Sequence, residues 1–202
     1  MKPNTIICIS REFGSGGHEI GERLSKELGI KLFDKEIISK VAEMGNLSED
    51  YVKRKGEARD FSFIFEVPPN AHMATDVNYE YVVTSEKLFT LQSIAIKRMA
   101  KEAGSGIFIG RCADVILQDF ENCYSFFICG PVEERIHRIK KLKGLTEKEA
   151  KKLVKKTDRE RASYHNFYTG VKWQHPSNYD LMINTKRTGI DKAVQVIKDY
   201  VK

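Results

Sequence analysis

Gly14-Ser15-Gly16-Gly17 sets four small residues in a row, followed by His18 and preceded by Arg11. Glycines let a backbone reach positive φ and come close to an anion. A turn that opens a helix adds unpaired N–H groups and the positive end of the helix dipole. Gly14, Ser15, Gly16, Gly17 and His18 are therefore candidates to cradle phosphate; a tight turn that binds nothing needs fewer small residues. Arginines elsewhere could complete such a site, because guanidinium offers a planar fork to phosphate oxygens. Arg111, Arg135, Arg138, Arg159 and Arg161 are the candidates, and each also reads as a solvated helix charge. Arg159 and Arg161 lie two apart and would diverge on a helix unless a kink or helix end lets them converge.

The common phosphate-loop pattern is G-x-x-x-x-G-K-[ST]. Aligned on Gly16, this chain has Arg11 for the first glycine, Gly17 for the lysine and His18 for the hydroxyl residue. Arg11 could supply the missing positive charge, or could pair with Glu12 or Asp34 and only hold the loop's shape. Lys35 is another candidate for the cation. His18 could donate to phosphate or be a first-turn surface residue. Asp34 could hold Mg²⁺ through water, touch an acceptor, or cap a helix starting at Lys35. Asp158 could orient an arginine, bind a ribose hydroxyl, or pair with Arg161 on one helix face.

The elements that must position these residues are legible. Thr5–Ser10 is a continuous apolar-leaning run, as in a buried parallel strand. Ile20, Leu24 and Leu28 then follow helical spacing, with Gly29 as a C-cap. Residues 30–34, 106–110, 124–129 and 181–184 read as further strands. Pro131 opens a helix whose stripe is Val132, Ile136, Ile139 and Leu142. Thr146 to Glu149 spells a capping box, and Ile190, Ala193, Val194, Ile197 and Val201 make a final amphipathic helix. Alternating strands and helices predict a three-layer α/β/α domain over 1–202, with a parallel sheet of about five strands. Residues 45–83 break the rhythm and read as an acceptor-side insertion. The segment 155–170 reads as a lid, with Tyr164–Gly170 and Trp173 as an aromatic patch that stacks a base, covers the site, or simply packs.

Bulk properties narrow the classes. The chain has 202 residues, 41% of them apolar and 31% charged, and a net charge of +6, which fits one domain and favours an anionic partner. Positive and negative residues mostly alternate and no basic run occurs, which argues against a nucleic-acid binder. Cys8, Cys112, Cys123 and Cys129 show no metal or disulfide spacing. No apolar stretch is long enough for a signal peptide or a membrane span. A cytoplasmic location with no membrane partner is expected.

Several segments together resemble the cytidylate kinases, nucleoside monophosphate kinases with the P-loop NTPase fold. Ser10–Gly17 is similar to a lysine-less loop of a cytidylate kinase-like branch. Gly110-Arg111 matches that family's Gly-Arg-Asp set, with Cys112 in place of the Asp. Glu134-Arg135-Ile136-His137-Arg138 resembles its Glu-Arg-x-x-Arg helix, and Asp158-Arg159-Glu160-Arg161-Ala162 its Asp-Arg-x-Arg-Ala lid. The resemblance covers most of the chain outside 45–83. It implies ATP and Mg²⁺ as cofactors and phosphoryl transfer to a small-molecule nucleotide such as CMP. Taken with the chemistry of the residues, it makes Arg11, Arg138, Arg159 and Arg161 the catalytic candidates and Asp34, Arg111, Arg135 and Asp158 the candidates for acceptor contacts, with no metal-ligand set of the protein's own. The alternative is a nucleotide-binding regulatory module with little or no kinase activity, which the absent lysine favours. A homo-oligomer is compatible with either.

Overall fold

The computed structural model describes residues 1–56 and 84–202. Five strands, β1 (Ile6–Arg11), β2 (Lys31–Phe33), β3 (Gly106–Ile109), β4 (Cys123–Cys129) and β5 (Leu181–Asn184), form one sheet in the order β2-β3-β1-β4-β5. Every pairing is parallel, as the apolar runs predict. β1 lies at the centre, and its residues alternate between two cores. Ile6 and Cys8 join the cluster built with Ile37, Val41, Leu88 and Ile96. Ile7 and Ile9 join the cluster built with Ile20, Leu24, Val194 and Ile197. One face is thus covered by α2 (Lys35–Gly45), α3 (Glu49–Gly56) and α4 (Ser85–Ala103), the other by α1 (Gly17–Leu28) and α8 (Thr185–Tyr200). This is the expected three-layer arrangement.

Local signals work where the sequence placed them. Gly29 ends α1 in the left-handed region. Thr146 and Glu149 close a reciprocal capping box at the start of α7 (Glu147–Thr169), and Pro131 is the N-cap of α6 (Val132–Lys143). A four-residue helix, α5 (Ala113–Ile116), follows β3. The stripe expected on α6 is only partly apolar: Ile139 is buried, Leu142 is 68% exposed, and Arg135 takes a buried place. The start of the 45–83 stretch holds α3, whose Val52 belongs to the core; 57–83 lie outside the described residues. The expected lid, 155–170, is the later part of the single helix α7. Its Tyr164 and Tyr168 pack against Phe89 and, beyond the helix, Trp173 packs against Phe127, while Phe167 is exposed. The cysteines are free thiols. Among the described residues no helix is long and apolar enough to cross a membrane.

Candidate active site

The glycine turn joins the end of β1 to the start of α1, at the carboxyl edge of the sheet's central strand, where ligands gather in open α/β sheets. Gly14 and Gly16 have φ of +83° and +91°, and Gly16 is the N-cap of α1 with no side-chain cap. The first intrahelical bond is Ile20 N–H to Gly16 O, so the N–H groups of Gly17, His18 and Glu19 have no intrahelical acceptor. A side chain at Gly14 would place its Cβ 2.8 Å from Arg135 O, and one at Gly16 would run into Ile190. The turn is therefore tight as well as concave. Ser15 turns its hydroxyl back to Glu12 O at 2.8 Å, and Thr185 donates to Ser15 O at 2.8 Å.

Two helices hold this turn from outside. Arg135 of α6 donates to Gly130 O at 2.9 Å, Phe13 O at 3.0 Å and Asp158 Oδ2 at 2.6 Å. Asp158 of α7 accepts from Phe13 N–H at 2.7 Å. Glu12 lies 3.2 Å from the Arg135 guanidinium and also accepts from Gly130 N–H at 2.9 Å and Gln174 at 2.9 Å. Arg161 donates to Arg11 O at 3.0 Å and lies over the Phe13 ring. Asp158 thus orients an arginine, but the arginine is Arg135 rather than Arg161. Arg135 spends its fork on the loop's backbone and two carboxylates. Burial pushes the Glu12 carboxyl above its ordinary range, against the pull of Gly130 N–H and Arg135.

In front of the turn lies a cleft of about 810 Å³. Its wall brings together Arg11, Gly14, Gly16, Gly17, His18, Asp34, Arg111, Arg138 and Arg161 from the expected set. Ser15, Arg135, Asp158 and Arg159 do not line it; the first three support the loop, and Arg159 is exposed on α7. Arg138 pairs with Glu19 in the first turn of α1. Burial opposes the charge on Glu19, yet Arg138 and Arg23 together hold its carboxyl below the ordinary range. His18 Nε2 stands 3.0 Å from Asp34 Oδ2. Asp34 occupies the N-cap of α2, but its side chain makes no cap bond there.

Arg111 sits where the backbone is most unusual. Gly110, Arg111 and Cys112 all have positive φ, at +66°, +54° and +57°. Left-handed geometry at two consecutive non-glycine residues costs on the order of 1–3 kcal/mol each and is typical of functional sites. Gln92 of α4 fixes the turn: it donates to Arg111 O at 3.1 Å and accepts from Arg111 Nη1 at 3.2 Å. Sequence reasoning missed Gln92, the one polar side chain among the buried positions of α4. It also missed Glu22 and Lys53, which line the cleft. Lys53 stands in a stretch whose broken rhythm hid α3; Glu22 lies one turn after His18, and helical spacing from the loop could have found it. The described lining carries seven lysines and arginines against four carboxylates, a balance suited to a polyanion.

The sequence model of the cytidylate kinase-like family matches residues 6–187. Among solved structures, an uncharacterized protein from Eubacterium ventriosum is similar at 29% identity, covering 98% of both chains, with a TM-score of 0.72. The shikimate kinase of Bacteroides thetaiotaomicron shares 12% identity over 98% of both chains at a TM-score of 0.55. That of Acinetobacter baumannii, solved with shikimate, shares 12% over 98% of this chain and 92% of its own at 0.52. At such identities the shikimate kinases show the fold alone, that of the P-loop kinases. No curated protein matches the chain.

Proposed function

The chain belongs to the cytidylate kinase-like family, and on that premise we propose that it transfers the γ-phosphoryl group of ATP to a small acceptor, with a nucleoside monophosphate such as CMP as the first candidate. The observation that carries the proposal is the convergence on one cleft of a helix N-terminus with three arginines, Arg111 from the turn after β3, Arg138 from α6 and Arg161 from α7. Phosphoryl transfer depends on positioning and charge neutralisation rather than on covalent help from the protein. The N–H groups of Gly17 and His18 would cradle the donor phosphates. Arg138 lies beside Gly16 and suits the donor side. Arg111, at the end of β3, suits the acceptor phosphate. Arg161, anchored to the loop backbone, suits the transferring group between them.

The residues also fit Mg²⁺, which keeps much of its water and takes one or two carboxylates plus substrate phosphates. Asp34 and Glu22 stand on the cleft wall. Among the described residues no set of three His, Cys, Asp or Glu forms a cage. Mg²⁺ arriving with ATP would neutralise phosphate charge there.

A second reading, nucleotide binding without turnover, is favoured by Gly17 and His18 at the lysine and hydroxyl positions. Incubation with ATP, Mg²⁺ and a panel of nucleoside monophosphates and small alcohols separates the two. ADP release that depends on one acceptor is expected; tight ATP binding with no ADP under any acceptor would favour the second reading.

A further inference from the structure

Positions 11 and 17 face each other across the glycine turn, with room between them for one side chain. A Cβ added to Gly17 would lie 2.6 Å from Arg11 Cβ and 3.1 Å from Arg11 Cγ. These atoms are the root of the arginine side chain, so rotation farther out cannot relieve the overlap. Gly17 is not among the residues with positive φ; its backbone does not demand glycine, and only the space does. The common phosphate-loop pattern has the opposite pair, glycine at the first position and lysine at the second. One stem space is thus filled from the strand side here and from the helix side there.

The Arg11 stem is also aimed. Its backbone is fixed in the β1–β4 ladder, with Arg11 opposite Ile128, and its carbonyl accepts from Arg161 at 3.0 Å. Its far end lies against Gly110 at the end of β3, where an added Cβ would fall on Arg11 Nη1. Gly110 also has a φ of +66°, so both its space and its backbone favour glycine. The guanidinium therefore reaches the cleft between the phosphate cradle and the Arg111 turn.

We infer that Arg11 and Gly17 exchange the parts played by lysine and glycine in the common loop, so that Arg11 supplies the loop's cation to a bound polyphosphate. This rests on the reading that the loop holds nucleotide phosphates. Arg138 is the rival cation, since its Cζ stands 3.7 Å from a Cβ built on Gly16. Only the exchange makes positions 11 and 17 depend on each other.

The test measures binding of inorganic tripolyphosphate to the full chain by calorimetry, in wild type, R11G, G17K and R11G/G17K. R11G should bind at least tenfold more weakly, about 1.4 kcal/mol. The double variant should return to within about threefold of wild type, since it restores the common pattern. G17K alone should bind no better than wild type and melt earlier, because two stems then crowd one space. R11M keeps the stem and removes the charge; it should stay folded and lose the same tenfold or more, roughly. Wild-type affinity in R11G or R11M, or no recovery in the double variant, would overturn the exchange. Absence of any tripolyphosphate binding by wild type would overturn both the exchange and the kinase reading. Binding that depends on Arg11, with ATP never turned over by wild type, would uphold the exchange and overturn the kinase reading alone.

Discussion

Glu12 and Glu19 flank the glycine turn and are shifted in opposite directions by the balance of burial and charge. Burial dominates at Glu12 and raises its carboxyl, although Arg135 stands 3.2 Å away. At Glu19 burial is outweighed by Arg138 and Arg23, and the carboxyl is lowered. The consequences for stability have opposite signs. A raised carboxyl contributes stability that is fully present below its unfolded pKa and lost as pH rises through the folded one. A lowered carboxyl contributes stability present above its unfolded pKa and lost as pH falls through the folded one. Carboxyl-carbon NMR should therefore show Glu12 titrating above the ordinary glutamate value of about 4.3 and Glu19 below it. The reverse order would contradict the described packing of both. Of these causes only the i, i+4 spacing of Glu19 and Arg23 was legible in the sequence; the burial that raises Glu12 and the Arg138 pairing that helps lower Glu19 come from chain far away.

Helices α6 and α7 act on the loop as a pair. α6 carries a charge at a position where its apolar stripe should face the core, and the reason lies in the other elements. Arg135 finds Asp158 on α7, Glu12 at the end of β1, and the carbonyls of Phe13 and Gly130. Replacing Arg135 by alanine leaves Glu12 and Asp158 facing each other without their cation. Removing one partner of a buried pair costs about 3–5 kcal/mol, so the urea midpoint of R135A should fall by that equivalent. A loss below about 1 kcal/mol, the size of an exposed pair, would contradict the clamp. The five strands and the capping box were readable because their signals are local: apolar runs, Gly29, Thr146 and Glu149. The clamp was not, because Gly130, Arg135 and Asp158 lie more than a hundred residues along the chain from Glu12 and Phe13. The motif Asp158–Arg161 was visible as a set, but the set divides: Asp158 and Arg161 hold the loop, and Arg159 faces solvent.

At the scale of the whole molecule, the sheet order β2-β3-β1-β4-β5 brings the ends of β1, β2 and β3 and the start of α1 to one cleft. Residues as far apart as Arg11, Arg111 and Arg161 meet there. The shikimate kinases share this frame at 12% identity, and a frame does not carry its substrate with it. The fold class was legible from the strand and helix pattern, and the cleft's glycines and arginines from the glycine run and the arginine motifs, whereas Glu22 and Lys53 were missed. Arg11 was readable as a candidate cation, but its crowding against position 17 was not, because closeness across a turn is a property of three dimensions. The proposed activity of this cleft is movement of a phosphoryl group between nucleotides. The most direct measurement gives the protein ATP labelled in its γ-phosphoryl group, with Mg²⁺ and CMP or another nucleoside monophosphate, and follows the label. Label is expected to appear in a nucleoside diphosphate in step with ADP. Label that stays in ATP, or leaves only as inorganic phosphate whichever acceptor is present, would contradict it.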